Sequence, residues 1–169
     1  IEMEDNLLKL ARSCFAEKKS PYFNELPPSD IDLIKIAVRL FEEKNYHNAL
    51  QVFSKIKRKN TVVYYFMGIC ASLCNKDSKA EEYLLKVSET GDRDVMFQLA
   101  ELYRKNRDFK KAEQYYIMAS ERGNESAMNR LGLLYQMEFK DNVNAEKYYL
   151  MASERGNDDA MTNLGFLYQ

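Results

Sequence analysis

One short sequence occurs three times in the second half of this chain, at a nearly constant spacing. It begins at Gly91, Gly123 and Gly156, in steps of 32 and 33 residues, and reads GDRDVMFQLAELY, GNESAMNRLGLLY and GNDDAMTNLGFLY. A period in this range is typical of proteins in which pairs of helices are repeated and stacked. In such arrays each repeat packs only on its neighbours. This feature therefore predicts an all-α solenoid built from antiparallel helix hairpins.

Two series of small residues extend the repeat towards the N-terminus. The first is Ala37, Gly68, Ala100, Gly132 and Gly165, and the second is Ala49, Ala80, Ala112 and Ala145. Small side chains at fixed positions let paired helices approach closely while larger side chains fill the space beside them. The phase of the two series predicts repeats 1 to 4 at about 29–60, 61–91, 92–123 and 124–156, and a half repeat at 157–169. Residues 1–28 are predicted to form a separate helix and a proline-containing link.

The ends of the helices also carry signals. Gly91, Gly123 and Gly156 each follow a second helix, where a left-handed residue ends a helix at low steric cost. Asp92, Asn124 and Asn157 come next and are predicted to cap the following helix. The segment Ser29–Asp32 is predicted to form a capping box at the start of repeat 1.

Composition narrows the function classes. The formal net charge is −1, with 25 basic and 26 acidic residues, so no overall field favours nucleic acid or an anionic membrane. No apolar run approaches the roughly 18 residues that a membrane span needs. Three cysteines do not resemble a disulfide framework, and the start IEMEDNLLKL carries no export signal. These observations predict an intracellular, cytoplasmic protein without membrane insertion.

The half repeat at the C-terminus supplies a first helix but no second helix to cover its apolar face. Solenoids normally end in a polar capping element. We therefore expect the natural protein to continue beyond Gln169. The uncovered helix also leaves self-association into a homo-oligomer open.

At these positions the chain resembles the tetratricopeptide repeat. The pattern of that family has a small residue in the first helix, a tyrosine three residues later and an alanine twelve residues after the small one. Ala100, Tyr103 and Ala112 fit it, and Tyr116 and Ala119 continue it. The later repeats are similar to the Sel-like subtype, which the segment DNVNAEKYYLMASERGNDDAMTNLGFLY shows from Asp141 to Tyr168. The resemblance covers about residues 29–169, and it implies a right-handed superhelix that serves as a non-enzymatic scaffold or adaptor without a cofactor.

The resemblance also implies where a protein partner would bind. In such arrays the first helices line a concave groove, and three positions per repeat face it. The predicted partner-binding residues are Ile34, Val38, Phe41, Tyr65, Ile69, Phe97, Glu101, Arg104, Asn129 and Leu133. An apolar strip with a polar end suits an amphipathic helix or an extended peptide. The alternative is that many of these side chains pack under neighbouring repeats.

Chaperone-binding members of the family hold a C-terminal carboxylate with lysine, asparagine and arginine on these faces. The corresponding lysine and asparagine positions here are Ile34 and Val38, or Tyr65 and Ile69 one repeat later, and neither pair matches. Only Arg130 occupies a position like those of the clamp. A chaperone co-factor of that kind is therefore not predicted. The resemblance leaves open a structural subunit of a ubiquitin-ligase or quality-control assembly.

Single features of the sequence bear on other functions. The basic run Lys55–Lys59 would suit nucleic acid, or it would complement the dipole at the end of a helix. Cys70 and Cys74 share a helix face, but no further ligand completes a metal site by spacing. The paired tyrosines, such as Tyr148 and Tyr149, would suit base stacking, but their phase in the repeat predicts core and helix-flank positions instead. No arrangement of residues predicts an enzyme.

Overall fold

The computed structural model describes residues 28–169, and within that range every element of regular structure is helical. The helices are α1 (Pro28–Glu42), α2 (Tyr46–Ser54), α3 (Thr61–Leu73), α4 (Asp77–Ser88), α5 (Arg93–Lys105), α6 (Phe109–Glu121), α7 (Glu125–Leu134), α8 (Asn142–Ser153) and α9 (Asp158–Leu167). A π-helix at Tyr135–Phe139 continues α7. The all-α fold is thus as predicted, and the helix predicted before Pro21 lies outside the described residues. No helix between residues 28 and 169 is both long and apolar enough to cross a membrane.

The chain divides into two compact bodies, an N-terminal body that ends at Lys86 and a C-terminal body that begins at Val87. Phenylalanine rings fill the centre of the N-terminal body. The Phe66 ring lies 5.1 Å from Phe41 in an edge-to-face arrangement and 5.4 Å from Phe53 in a stacked one. These contacts hold α1 and α2 against α3, because each ring comes from a different helix.

Helix α8 is the centre of the last part of the C-terminal body. Its Ala145, Tyr149 and Ala152 form one buried cluster with Met128 of α7 and Ala160 of α9. Alanines on α8 leave room for the helices on either side, while the Tyr149 ring fills the volume between them. In the core of this segment the Tyr149 ring thus lies among three alanines and Met128, with larger side chains such as Leu164 packed around them.

The small-residue series mark the closest approaches between helices. A Cβ atom added at Gly132 would lie 2.6 Å from both Cδ1 and Cε1 of Tyr149, and one at Gly68 would lie 2.7 Å from Cγ of Leu84. Real Cβ atoms do not come so close to other carbon atoms. The alanines of both series are fully buried. The series therefore identify contact positions between helices, as the sequence indicated.

The predicted helix caps between repeats are present. Gly123 and Gly156 have φ values of +86°, in the left-handed region that favours glycine. The next residues, Asn124 and Asn157, each accept a hydrogen bond from the backbone N–H three residues on, at 2.8 and 2.9 Å. Asp92 does the same for α5. One repeat therefore ends, and the first helix of the next repeat is capped, within two residues.

The predicted capping box at Ser29–Asp32 is wrong. Helix α1 begins at Pro28, which needs no hydrogen-bond partner at the first helical position because proline has no N–H. Asp30 instead lies in the first turn and is almost fully buried. Its carboxylate accepts the backbone N–H groups of Lys57 and Arg58 at 3.2 and 3.3 Å. Asp30 thus ties the start of α1 to the turn that follows α2.

A third series lies in the turns within the hairpins. Lys44, Asn75, Arg107 and Lys140 have φ values of 60°, 57°, 62° and 55°. They follow one another at steps of 31, 32 and 33 residues, in phase with the repeat. Each hairpin therefore turns on one left-handed residue, and none of the four is glycine.

Repeat 4 has one more residue between its small positions than the earlier repeats, and the π-helix accounts for it. A π-helical turn holds an additional residue without breaking the helix. The turn after the π-helix ends on Lys140, whose φ of 55° matches the other three turns. The extra residue is thus absorbed before the turn.

Hydroxyl–carboxylate bonds connect successive repeats in the C-terminal body. The Tyr135 hydroxyl donates to Glu113 Oε1 at 2.6 Å, and the Tyr168 hydroxyl donates to Glu146 Oε1. Both pairs are separated by 22 residues in sequence. The first helix of one repeat is thus bonded to the second helix of the preceding repeat by the same pair of residue types.

Candidate partner-binding surface

Seven of the ten predicted partner-binding residues are buried in this structure. Their side chains are between 2% and 8% exposed, and they are Ile34, Val38, Phe41, Tyr65, Ile69, Phe97 and Asn129. Glu101 and Leu133 are half-buried, and Arg104 is exposed. For most of these positions the structure therefore shows packing within the protein, and three of them present surface.

The contacts of the buried residues explain their burial. The Phe97 ring lies 6.0 Å from the ring of Tyr116 on the second helix of the same repeat. Asn129 Oδ1 accepts a hydrogen bond at 3.0 Å from Asn163 Nδ2 on the next first helix. First-helix residues that face inward are thus used to pack helices against one another.

A polar network connects α5, α6 and α7 at the edge of this packed face. Glu101 is its centre, since the Tyr116 hydroxyl and two guanidinium groups all contact its carboxylate. Arg104 Nη2 donates to Glu101 Oε2 at 3.1 Å, and Arg104 Nε donates to Tyr116 Oη at 3.2 Å. Arg130 Nε lies 3.5 Å from Glu101 Oε1. Two arginines from neighbouring repeats therefore share one carboxylate.

The electrostatics of this network keep Tyr116 and Arg104 protonated near neutral pH. Burial raises the pKa of Tyr116, and the charge and hydrogen bond of Glu101 raise it further. Burial acts to lower the pKa of Arg104, but hydrogen bonding and attraction to Glu101 reverse this effect. Tyr116 is thus a hydrogen-bond donor and Arg104 a cation. These protonation states allow the Tyr116 hydroxyl and the Arg104 guanidinium both to donate to Glu101.

A cleft of about 470 Å³ lies beside this network in the C-terminal body. It lies between the ends of α5 and α7, next to the π-helix. Its lining residues are Arg104, Lys105, Arg107, Phe109, Arg130, Leu133, Leu134, Met137 and Glu138. The cleft contains two of the predicted partner-binding residues, Arg104 and Leu133. Arg107 and Met137 were not predicted. The sequence does mark the position of Arg107, because that position follows the repeat spacing shared by the four turn residues.

The basic run Lys55–Lys59 forms the turn after α2 rather than an extended surface strip. The backbone N–H groups of Lys57 and Arg58 are bonded to Asp30, and Lys59 Nζ donates to the carbonyl of Ile56 at 2.6 Å. Ile56 itself is fully buried. The run therefore has a structural role in the N-terminal body, and nucleic-acid binding by it stays a prediction.

Cys70 and the tyrosine pair of repeat 4 are packed against other parts of the protein. Burial raises the pKa of the Cys70 thiol to about 12, and no group of three potential metal ligands occurs among residues 28–169. Tyr149 is fully buried, in agreement with its predicted core position. Tyr148 stacks on Tyr135 at 5.6 Å, with ring planes 3° from parallel. The tyrosine pair of repeat 4 thus packs within the protein.

Alkaline pH is expected to destabilise the C-terminal body through Tyr149. Burial raises the pKa of its hydroxyl to about 12, and the hydroxyl donates to Gln136 Oε1 at 2.7 Å. An unfolded tyrosine ionises near pH 10. The contribution of Tyr149 to stability is therefore complete below about pH 10 and is lost as the pH rises towards 12. Denaturant unfolding between about pH 9 and pH 11 should show a smaller decline for Tyr149→Phe than for the natural sequence. Equal declines would contradict this assignment.

Comparison with known proteins identifies the fold. No protein-family model and no curated protein sequence matches the chain. Among solved structures, MamA superposes with a TM-score of 0.71 at 17% identity, over 94% of this chain and 91% of MamA. YrrB, described as a TPR protein with an unusual peptide-binding site, has a TM-score of 0.69 at 15% identity, over 96% and 84% of the two chains. A Sel1 repeat protein from Oxalobacter formigenes has a TM-score of 0.65 at 19% identity, over 99% and 74%. The chain therefore has the tetratricopeptide/Sel-like repeat fold.

Proposed function

We propose that this chain is a non-enzymatic protein-interaction module that holds a peptide or a helix of a partner protein on the first-helix side of its repeats. The observation that carries this proposal is the fixed network around Glu101 beside an open cleft of about 470 Å³. A polar group that is already held in its bound orientation loses little conformational entropy when a partner binds. Tetratricopeptide and Sel-like structures are used as interaction scaffolds, which agrees with the proposal.

The ten predicted groove residues divide into two roles under this proposal. Glu101, Arg104 and Leu133 retain exposed surface and contact the partner. Of the buried residues, Phe97 and Asn129 lie in the same body as these three side chains and hold the first helices of that body in place through Tyr116 and Asn163. A mutation at a buried residue would then act on folding before it acts on binding.

The chemistry of the cleft favours binding over catalysis. Its lining contains arginine, lysine, leucine, phenylalanine, methionine and one glutamate, but no histidine, cysteine, serine or aspartate. The lining provides charge and apolar area, which are the properties that hold a protein segment in place.

Leu133→Glu is expected to abolish or strongly reduce capture of protein partners, and capture is compared for protein whose helical circular dichroism is retained, because Leu133 also packs against the cluster around Tyr149. The substitution places a carboxylate in the apolar part of the cleft, where a partner side chain would become buried against a charge. Affinity capture from the native source, compared by quantitative mass spectrometry, measures the effect. The matched control is Leu150→Glu, because Leu150 is 40% exposed on a second helix and does not line the cleft. Equal capture by both folded variants would exclude the cleft as the partner site.

Other predictions from the sequence remain open proposals. Phe166 on helix α9 and Tyr168 directly after it are exposed aromatic side chains, and homo-oligomer formation through this helix stays a prediction. Membership of a ubiquitin-ligase or quality-control assembly, and a cytoplasmic location, also stay predictions. Each is compatible with a protein-interaction module.

A further inference from the structure

The charge of the cleft differs in sign from that of the whole chain. The formal net charge of the protein is −1, whereas the cleft lining contains four basic residues and one acidic residue. The basic residues are Arg104, Lys105, Arg107 and Arg130, and the acidic residue is Glu138. Positive charge is therefore concentrated at this cleft without being a general property of the surface.

The Glu101 network leaves this positive charge only partly neutralised. Arg104 and Arg130 share the single carboxylate of Glu101, and their side chains are 42% and 43% exposed. A guanidinium has five N–H donors in a planar fork that matches a carboxylate. The bonds described for Arg130 use one of its donors, at Nε. A second carboxylate can therefore approach the pair from solvent.

The apolar part of the cleft lies next to these cations. Leu133 and Leu134 of α7 and Phe109 of α6 contribute lining surface, and Met137 of the π-helix is 58% exposed. Methionine and aromatic side chains adapt to varied apolar partners because they are polarisable. The lining thus combines an apolar floor with a cationic rim.

Arg107 adds an observation that is independent of surface charge. It occupies the left-handed turn position of its hairpin, with a φ of 62°. The equivalent residue in repeat 2 is Asn75, and asparagine is among the residue types best tolerated in this conformation. Of the four turn residues, only Arg107 lines the cleft. The Arg107 guanidinium lies over the Phe109 ring, 5.4 Å from its centroid, so this turn adds a further cation to the cleft lining.

We infer that the cleft binds an acidic segment of a protein partner, in which carboxylates flank an aliphatic or aromatic side chain. The apolar side chain enters between Leu133 and Met137, and the carboxylates contact Arg107 and the exposed faces of Arg104 and Arg130. This assignment rests on the proposed interaction function and specifies the chemistry of the partner. Charge complementarity is its main support, because the rim repels basic segments.

The test uses three fluorescent synthetic peptides and the protein of residues 1–169. The first peptide has glutamates with a leucine at every third or fourth position, and the other two carry glutamine or lysine in place of glutamate. Fluorescence anisotropy is expected to show that the glutamate peptide binds about ten-fold or more tightly than the glutamine peptide and weakens as salt rises. The lysine peptide is expected not to bind. Equal affinity of the glutamate and glutamine peptides, or no binding of the glutamate peptide, overturns the inference.

Arg107→Asn separates binding from folding. Asparagine suits the left-handed backbone, which offsets the loss of the contact between Arg107 and the Phe109 ring, so the variant should fold about as well as the natural sequence. Its affinity for the glutamate peptide is expected to fall by roughly five-fold, the effect of losing one charge-assisted contact. Lys140→Asn is the matched control, since Lys140 has the same backbone conformation in the same body and lies outside the cleft lining. A similar loss in both variants would indicate a general charge effect and would overturn the inference.

Three further outcomes distinguish this inference from a nucleic-acid site and from the interaction function on which it rests. Tighter binding of polyuridylate than of the glutamate peptide would overturn it in favour of a nucleic-acid site. If the glutamate peptide fails while Leu133→Glu still loses its protein partners, the interaction function stands and only the acidic assignment falls. If Leu133→Glu keeps its partners, the cleft is not the partner site and both fall.

Discussion

Gly132→Ala is expected to destabilise the C-terminal body by about 2 kcal/mol, the result of overpacking less the gain in helix propensity. The added methyl carbon would lie 2.6 Å from two ring atoms of Tyr149. Tyr149 is fully buried and its hydroxyl is bonded to Gln136, so the ring cannot move aside without losing other contacts. Part of the backbone must therefore shift. Urea denaturation monitored by circular dichroism measures the change.

Gly165→Ala is the matched control and is expected to change stability in the opposite direction. Gly165 stands 33 residues after Gly132, at the same position of the repeat. A Cβ atom there would meet no other atom within 4 Å. The substitution should stabilise α9 by up to about 1 kcal/mol, because alanine favours the helix over glycine. Equal effects at the two glycines would show that close approach to Tyr149 does not explain the small residue at Gly132.

Phe97→Glu is expected to cost about 4 kcal/mol or more of folding free energy. The Phe97 side chain is 7% exposed and packs against Tyr116, so the substitution removes a buried ring and places a carboxylate in its volume. The new carboxylate also lies one helical turn before Glu101, where like charges repel. Such a loss is a large part of the roughly 5–15 kcal/mol that stabilises a typical domain.

Thermal and urea unfolding of Phe97→Glu test this expectation, with Phe97→Leu as the conservative control. The leucine variant should lose no more than about 1.5 kcal/mol because it keeps most of the apolar volume. A glutamate variant as stable as the natural sequence would mean that Phe97 faces solvent and is available to a partner. Loss of partner binding in an unfolded glutamate variant says nothing about the cleft, so binding is better tested at Leu133 and Arg107.

The sequence predicts the repeat and its contact positions well because these depend on local features. A glycine or alanine at a fixed phase reports the space available between two adjacent helices, and Gly132 and Ala145 were identified on that basis. Helix caps such as Asn124 are likewise decided within three residues. The capping box at Ser29–Asp32 failed because Asp30 is used by a turn 27 residues away, which no local pattern reveals.

The groove residues show that the position of a residue within the repeat does not determine how exposed its side chain is. Phase assigned Asn129 and Phe97 to the side of the helix that faces the groove. It did not show that Asn163 and Tyr116 would cover them. Exposure depends on side chains from other helices, whereas phase describes one helix. The cleft was missed for the same reason, since it is made by the ends of two first helices and by a π-helix that accommodates one inserted residue.

The bonds from Tyr135 to Glu113 and from Tyr168 to Glu146 have a consequence for how such a protein can change in length. Both join residues 22 apart, and the second pair lies one 33-residue period after the first. The same bond therefore recurs at equivalent positions of successive repeats. Duplicating or removing one whole period in this part of the chain leaves each tyrosine opposite an equivalent glutamate. Recombination between repeats can thus alter the number of repeats without creating a mismatched polar interface.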